Sequence, residues 1–236
     1  MESVTIQYCF TLPDGSQEVF DLQLDAQSVE LLGNTPKAFP SWTNLDFHQC
    51  PHCPLVIDTH PHCPLAANLV NIVEPFDRLL SYERIHVDVV TESRLISRDT
   101  AAEEGISSLM GLVIPTSGCP KTAFFKPMAR FHLPFASQEE TIFRVASTYL
   151  LGQFFRRKEG QDADLELKGL RKIYEDVQVV NASVAARLQS ATEKDSTLNA
   201  IVLLDMYAKI LSHAIEQSLE EIRYLFAPFL MRSPGP

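Results

Sequence analysis

Two-residue alternation opens the chain. Val4, Ile6, Tyr8 and Phe10 alternate with Thr5, Gln7, Cys9 and Thr11, and Phe20, Leu22 and Leu24 resume the period after a Pro13-Asp14-Gly15-Ser16 turn. A hairpin of this kind turns one apolar face to a core and leaves the other polar. Ile85, Val87 and Val89 repeat the spacing with His86 and Asp88 opposite, which predicts another strand in the same antiparallel sheet. Over residues 64–80 the period becomes helical: Leu65, Leu69, Ile72, Val73 and Phe76 share one stripe, and Pro64 takes the first helical position, where a missing N–H costs nothing. Shorter helices are expected near residues 101–112 and 120–133.

From Ser137 the period is helical throughout. Ser137-Gln138-Glu139-Glu140 has the capping-box pattern, Ile142, Val145, Tyr149 and Phe154 keep helical spacing, and Arg156-Arg157-Lys158 before Gly160 suit the negative end of the helix dipole. A second helix carries Leu170, Ile173, Val177, Val180 and Val184. A third, with Asp195 and Ser196 as caps, carries Ile201, Leu204, Ala208, Leu211, Ile215, Leu219, Ile222 and Phe226. These stripes suit an antiparallel pairing with each other, a self-association, or a protein partner, and spacing does not separate the options. The expected fold is α+β. A small antiparallel β-sheet with a metal-held loop and short helices fills residues 1–136, and a C-terminal helical bundle or helical hairpin fills 137–232. Ser233-Pro234-Gly235-Pro236 reads as a frayed tail.

Between the strands, residues 36–64 hold six prolines and little periodicity, so something other than a backbone ladder must order them. Four of the seven histidines (His48, His52, His60, His62) and three of the five cysteines (Cys50, Cys53, Cys63) fall there. Pro-His-Cys-Pro-Leu occurs at 51–55 and again at 61–65, so that Cys50 and Cys53 align with His60 and Cys63. Two such turns offer the donors of a tetrahedral metal site. Cys119 competes for membership, because Cys50, Cys53, Cys63 and Cys119 are each followed by proline while Cys9 is not. At Cys63 and Cys119 that proline is expected to set the sulfur at a helix N-cap, where the dipole favours thiolate. The preferred ligand set is Cys50, Cys53, Cys63 and Cys119, with His60 in place of Cys119 as the alternative. Zinc is preferred to an iron–sulfur cluster. His48, His52 and His62 are expected to hydrogen-bond around the site, and Cys9 to be a small buried apolar residue.

Charge narrows the functions. Twenty Lys and Arg against thirty Asp and Glu give a net charge of -10, which disfavours nucleic acid and anionic lipid. No apolar run approaches the roughly 20 residues of a membrane span, and no basic-then-apolar leader opens the sequence, so a cytoplasmic, reduced protein is expected. Yet no acidic residue lies between Glu104 and Glu139. Within that stretch Ser117, Gly118, Lys121, Thr122, Lys126 and Arg130 are candidates to bind a small anion, set against ordinary pairing of the cations with acidic neighbours.

Two resemblances follow. Cys50-Pro51-His52-Cys53 resembles the active-site turn of DsbA-like thiol–disulfide oxidoreductases over those four residues alone. That family sets the turn at the start of a continuous helix, which Pro54 and Pro61 interrupt here. HQCPHCP, HPHCP and GCPKTAFFKPMARFHLPF are similar to stretches of an uncharacterised bacterial protein family across roughly residues 45–135. The resemblance implies no activity. The function expected from the sequence is a non-catalytic metal-binding protein with a structural or interaction role. A redox- or metal-responsive sensor is the alternative, with a thiol oxidoreductase or metal-assisted hydrolase behind it.

Overall fold

A computed structural model describes residues 2–231; the 233–236 tail lies outside them. The alternating segments form β1 (Ser3–Thr11), β2 (Gln17–Asp25) and β4 (Arg84–Thr91), joined by β3 (Leu31–Leu32) and β5 (Leu95–Ala101) in one antiparallel sheet of order β3-β2-β1-β4-β5. β1 lies at its centre, with Tyr8 opposite Phe20 on one side and Val89 on the other. Ile6, Tyr8, Phe10, Leu24, Ile85, Val87 and Val89 are buried on one face. Cys9 sits between Val19 and Asp88 on the other, half-buried, which corrects the expectation of a core cysteine.

Helices α1 (Pro64–Phe76) and α2 (Ala102–Thr116) cover the apolar face. The Phe76 ring stands edge-on to Phe10 at 4.8 Å. Gly105 lets α2 approach closely: a Cβ there would lie 3.0 Å from Ile85 Cδ1 and 3.1 Å from Val87 Cγ2. The helix expected over 120–133 is broken into a turn, a 3-10 turn over Ala123–Phe125 and a short α3 (Lys126–Arg130). Phe125 and Lys126-Pro127 change the hydrogen-bonding pattern there, because Pro127 brings no N–H.

The long helices are α4 (Gln138–Lys158), α5 (Lys168–Gln189) and α6 (Ser196–Glu221), followed by a 3-10 turn (Arg223–Phe226) and α7 (Ala227–Leu230). Ser137 and Glu140 form the expected capping box. Phe154 is not on the buried stripe of α4; Gln153 is, its Oε1 accepting from Asp164 N at 2.8 Å, while Phe154 is 53% exposed. α5 and α6 fold back on each other as a hairpin, with Gln178 Nε2 donating to Ser212 Oγ at 2.6 Å. The Asp195 carboxylate does not cap α6. It accepts instead from Ser81 N (2.9 Å), Ser81 Oγ (3.1 Å) and Asn199 Nδ2 (3.1 Å), tying the start of α6 to the turn before β4.

The expected boundary near residue 136 is crossed by the core. Val180, Val184 and Leu188 of α5 and Ala200 and Ile201 of α6 belong to the same buried cluster as the sheet, while a second cluster joins α4, α5 and α6. Among the described residues no helix is long and apolar enough to cross a membrane.

Candidate metal centre

Residues 33–63 fold back on themselves. A 3-10 turn at Ser41–Thr43 leads to Asn44, which bridges antiparallel to His62; Leu45 N donates to Pro61 O at 2.9 Å and Cys63 N to Thr43 O at 2.8 Å. These few bonds do not make a sheet. What holds the 42–45 carbonyls is a side chain from far along the chain: Arg187 of α5, 2% exposed, donates through Nη1 to Trp42 O (2.6 Å) and Asn44 O (2.8 Å) and through Nη2 to Leu45 O (3.1 Å).

Three cysteine-bearing pieces meet beside that guanidinium. Cys50-Pro51-His52-Cys53 is a tight turn closed by Cys53 N donating to Cys50 O at 2.9 Å. No helix follows it. Cys63 is the N-cap of α1 in extended geometry, with Pro64 at the first helical position as the spacing predicts. Cys119 follows Gly118, whose φ of +84° suits a residue without Cβ. The 117–119 turn abuts the start of α1, since Asn68 Nδ2 donates to both Pro64 O (2.9 Å) and Ser117 O (3.3 Å). Cys119 is not a helix N-cap, because a turn and not a helix follows it.

Cys50, Cys53, Cys63 and Cys119 line one small cavity of about 20 Å³. The remaining wall is mostly apolar, including Leu45, Leu65, Val180 and Val184, with Ser183, Lys121 and Arg187 as its basic or hydroxyl members; no histidine or carboxylate lines it. Burial pushes the Cys50 thiol up; the neighbouring Cys63 and Cys53 push the same way, and the Ser183 hydroxyl and Arg187 oppose them. Burial also raises Cys119, against hydrogen bonds from the Lys121 N–H and Thr122. Without a cation these two thiols therefore stay protonated at neutral pH. Among the described residues no group of three or more His, Cys, Asp or Glu is arranged to hold a metal ion. The sulfurs share a cavity without being drawn onto one point.

The histidines stand outside this cavity. His60 is exposed, its Nδ1 within 2.9 Å of Thr59 Oγ1. His62 Nδ1 lies 3.0 Å from Thr43 Oγ1 and its ring stacks on Phe39 at 4.3 Å. The φ of His48 is +48°, and its ring is edge-on to Phe47. His52 Nε2 is 2.9 Å from Asp176 O, and its buried Nδ1 has no partner.

α5 is thus the clamp of the region, with Asp176, Ser183 and Arg187 all facing it. The Asp176 carboxylate pairs with Lys121 Nζ at 3.0 Å. Lys126 pairs with Glu30 at 3.1 Å, and the Arg130 guanidinium lies over the Phe131 ring. Ser117 and Thr122 spend their hydroxyls on Ile114 O. Of the residues expected to bind a small anion, Lys121 and Lys126 thus stand in ion pairs and Ser117 and Thr122 in backbone hydrogen bonds, with Gly118 in the turn before Cys119. Arg187 and Ser183 were missed by sequence reasoning. The available signal was an arginine three residues after Val184, on the apolar stripe of α5.

Fold and site together define a mixed α/β protein with a five-stranded antiparallel sheet, a helical C-terminal half and four cysteines around one cavity. The family model for a domain of unknown function, DUF6901, matches residues 6–227, and the chain belongs to that family. No curated protein and no solved structure matches it.

Proposed function

We propose that Cys50, Cys53, Cys63 and Cys119 bind a single zinc ion as thiolates, in a structural rather than catalytic role. The observation that carries the reading is the set of four thiols, from three separate pieces of chain, lining one cavity with no competing histidine or carboxylate. A dication reverses the effect of burial on the thiols, since the bound form is the thiolate and binding releases its proton. Four thiolates on a dication leave two negative charges. The buried Arg187 guanidinium supplies a compensating field, and the Ser183 hydroxyl and the Lys121 N–H donate to the sulfurs of Cys50 and Cys119. Binding would require the four sulfurs to close around one point at about 2.3 Å, the length of a zinc–sulfur bond.

A cavity of about 20 Å³ suits one ion better than an iron–sulfur cluster. Thiol–disulfide exchange is the weaker reading, because burial raises Cys50, whereas an attacking thiol needs a lowered pKa. The ion would pin the proline-rich loop and the 117–122 turn to α5. A reducing, cytoplasmic compartment follows from the need to keep the thiols reduced.

The test is elemental analysis of protein purified without chelator, followed by cobalt substitution. One zinc per chain and the visible bands of a tetrahedral tetrathiolate cobalt site are expected, both lost in Cys50→Ser and Cys119→Ser. Protein that carries no metal and gives no thiolate–cobalt absorption after reduction refutes the proposal.

A further inference from the structure

Between α2, α4, α5 and α6 lies a second, larger cavity of about 410 Å³, distinct from the cysteine site. It opens to solvent beside Gly111 and Arg98, both exposed, and its size falls within the range of about 300–1,000 Å³ of small-molecule sites. Ile114, Met128, Val177, Leu204 and Leu211 contribute apolar walls. Asn181, 3% exposed, lines it, and its Nδ2 has no hydrogen-bond partner. That nitrogen has no accessible surface, so Asn181 contributes to the wall and offers no donor to the space. Tyr174, 5% exposed, lines the same wall seven residues earlier on α5, which places it about 10 Å along the helix axis from Asn181. The space is therefore long as well as apolar.

Of the charged side chains that line it, Arg98 and Arg144 are cationic and Glu104 anionic, in a chain of net charge -10. Arg144 is fixed at the wall by donating to Met128 O (2.8 Å) and Phe131 O (2.9 Å), and Arg98 by stacking over Phe135. The one lining carboxylate, Glu104, is engaged by the Thr100 hydroxyl. His132, also in the wall, is held neutral. Gly111, inside α2, is exposed at the cavity, and a Cβ there would meet nothing within 4 Å. Glycine inside a helix is unfavourable relative to leucine, and here it keeps the opening clear.

We propose that this cavity binds a monocarboxylate with an apolar chain, of the fatty-acid class. The chain lies along α5, and the carboxylate faces the guanidiniums of Arg98 and Arg144. The site does not depend on metal at the cysteines.

Calorimetric titration of the full chain with decanoate below its micelle concentration tests it, with methyl decanoate and decanol run in parallel. Saturable one-to-one binding is expected, tightest for decanoate. Arg98→Met should weaken decanoate binding about tenfold, the loss of one charge-assisted contact, and leave decanol binding unchanged. Gly111→Leu should abolish it while circular dichroism shows an intact fold, because leucine favours the helix and fills the opening. Absence of saturable binding, or decanoate binding undiminished in Gly111→Leu, overturns the site. Equal affinity for methyl decanoate overturns the assignment of a carboxylate.

Discussion

Replacing Arg187 by methionine separates the guanidinium from its stem. The methylenes keep their packing in the 2%-exposed position, but Trp42 O, Asn44 O and Leu45 O lose donors at 2.6, 2.8 and 3.1 Å. A buried acceptor left unmade costs about 1–3 kcal/mol, and bonds from a charged donor stand at the upper end. Against this, removal of a desolvated charge returns part of the loss. A net destabilisation of about 3 kcal/mol results, a large share of the roughly 5–15 kcal/mol of a typical domain. Urea unfolding in excess zinc reads the shift as a lower midpoint at unchanged slope. Amide exchange should quicken first in residues 41–63, which have few other backbone bonds. Arg187→Lys should recover less than half, because one ammonium cannot span three carbonyls held by a planar fork. A midpoint shift equivalent to less than about 1 kcal/mol, with unaltered exchange in the loop, would mean that the loop is ordered by something else.

Acid should destabilise the protein through His132. Burial first, and the Arg144 charge second, lower its pKa to about 3 from 6.5, and the Tyr8 hydroxyl, 2.5 Å from Nε2, is its hydrogen-bond partner. The unfolded chain therefore takes up the proton first, and stability falls as pH drops from 6.5 towards 3, by at most about 2 kcal/mol at pH 5, an upper limit because the ring keeps an exposed edge on the large cavity. His132→Gln should flatten that part of the pH dependence in parallel urea titrations; identical slopes for both proteins would contradict it. Gly105→Val should cost several kcal/mol (about 3), since a Cβ already meets Ile85 Cδ1 at 3.0 Å and two more carbons cannot fit between α2 and the sheet; a thermal midpoint equal to the parent's would refute the close packing. Asp195→Ala should cost about 1–2 kcal/mol by freeing Ser81 N and Oγ, a loss that denaturant titration resolves and that Asp195→Asn should partly restore.

The alternating and helical periods were enough to find β1, β2, β4, α1, α4, α5 and α6, because core-facing residues recur at spacings set by backbone geometry alone. β5 escaped, since Leu95-Ile-Ser-Arg-Asp-Thr-Ala has only Thr100 buried and owes its strand to pairing with β4. The 120–133 segment was overread as a helix because its apolar residues, Phe124, Phe125 and Met128, are spaced for one and pack into the helical core through a looser path.

The cysteines were singled out from covalent spacing, by a short repeat and by the prolines after them. Spacing determined which residues carry thiols, and that a proline-rich loop needed an external anchor. It did not determine which donors face one another: Cys119 lines the cavity where the 117–119 turn meets α1, while His60 is exposed. Nor did it identify the anchor, since Arg187 reaches carbonyls more than a hundred residues away. An arginine on an apolar stripe is costly to bury until the carbonyls that satisfy it arrive, and only the packed chain brings them there.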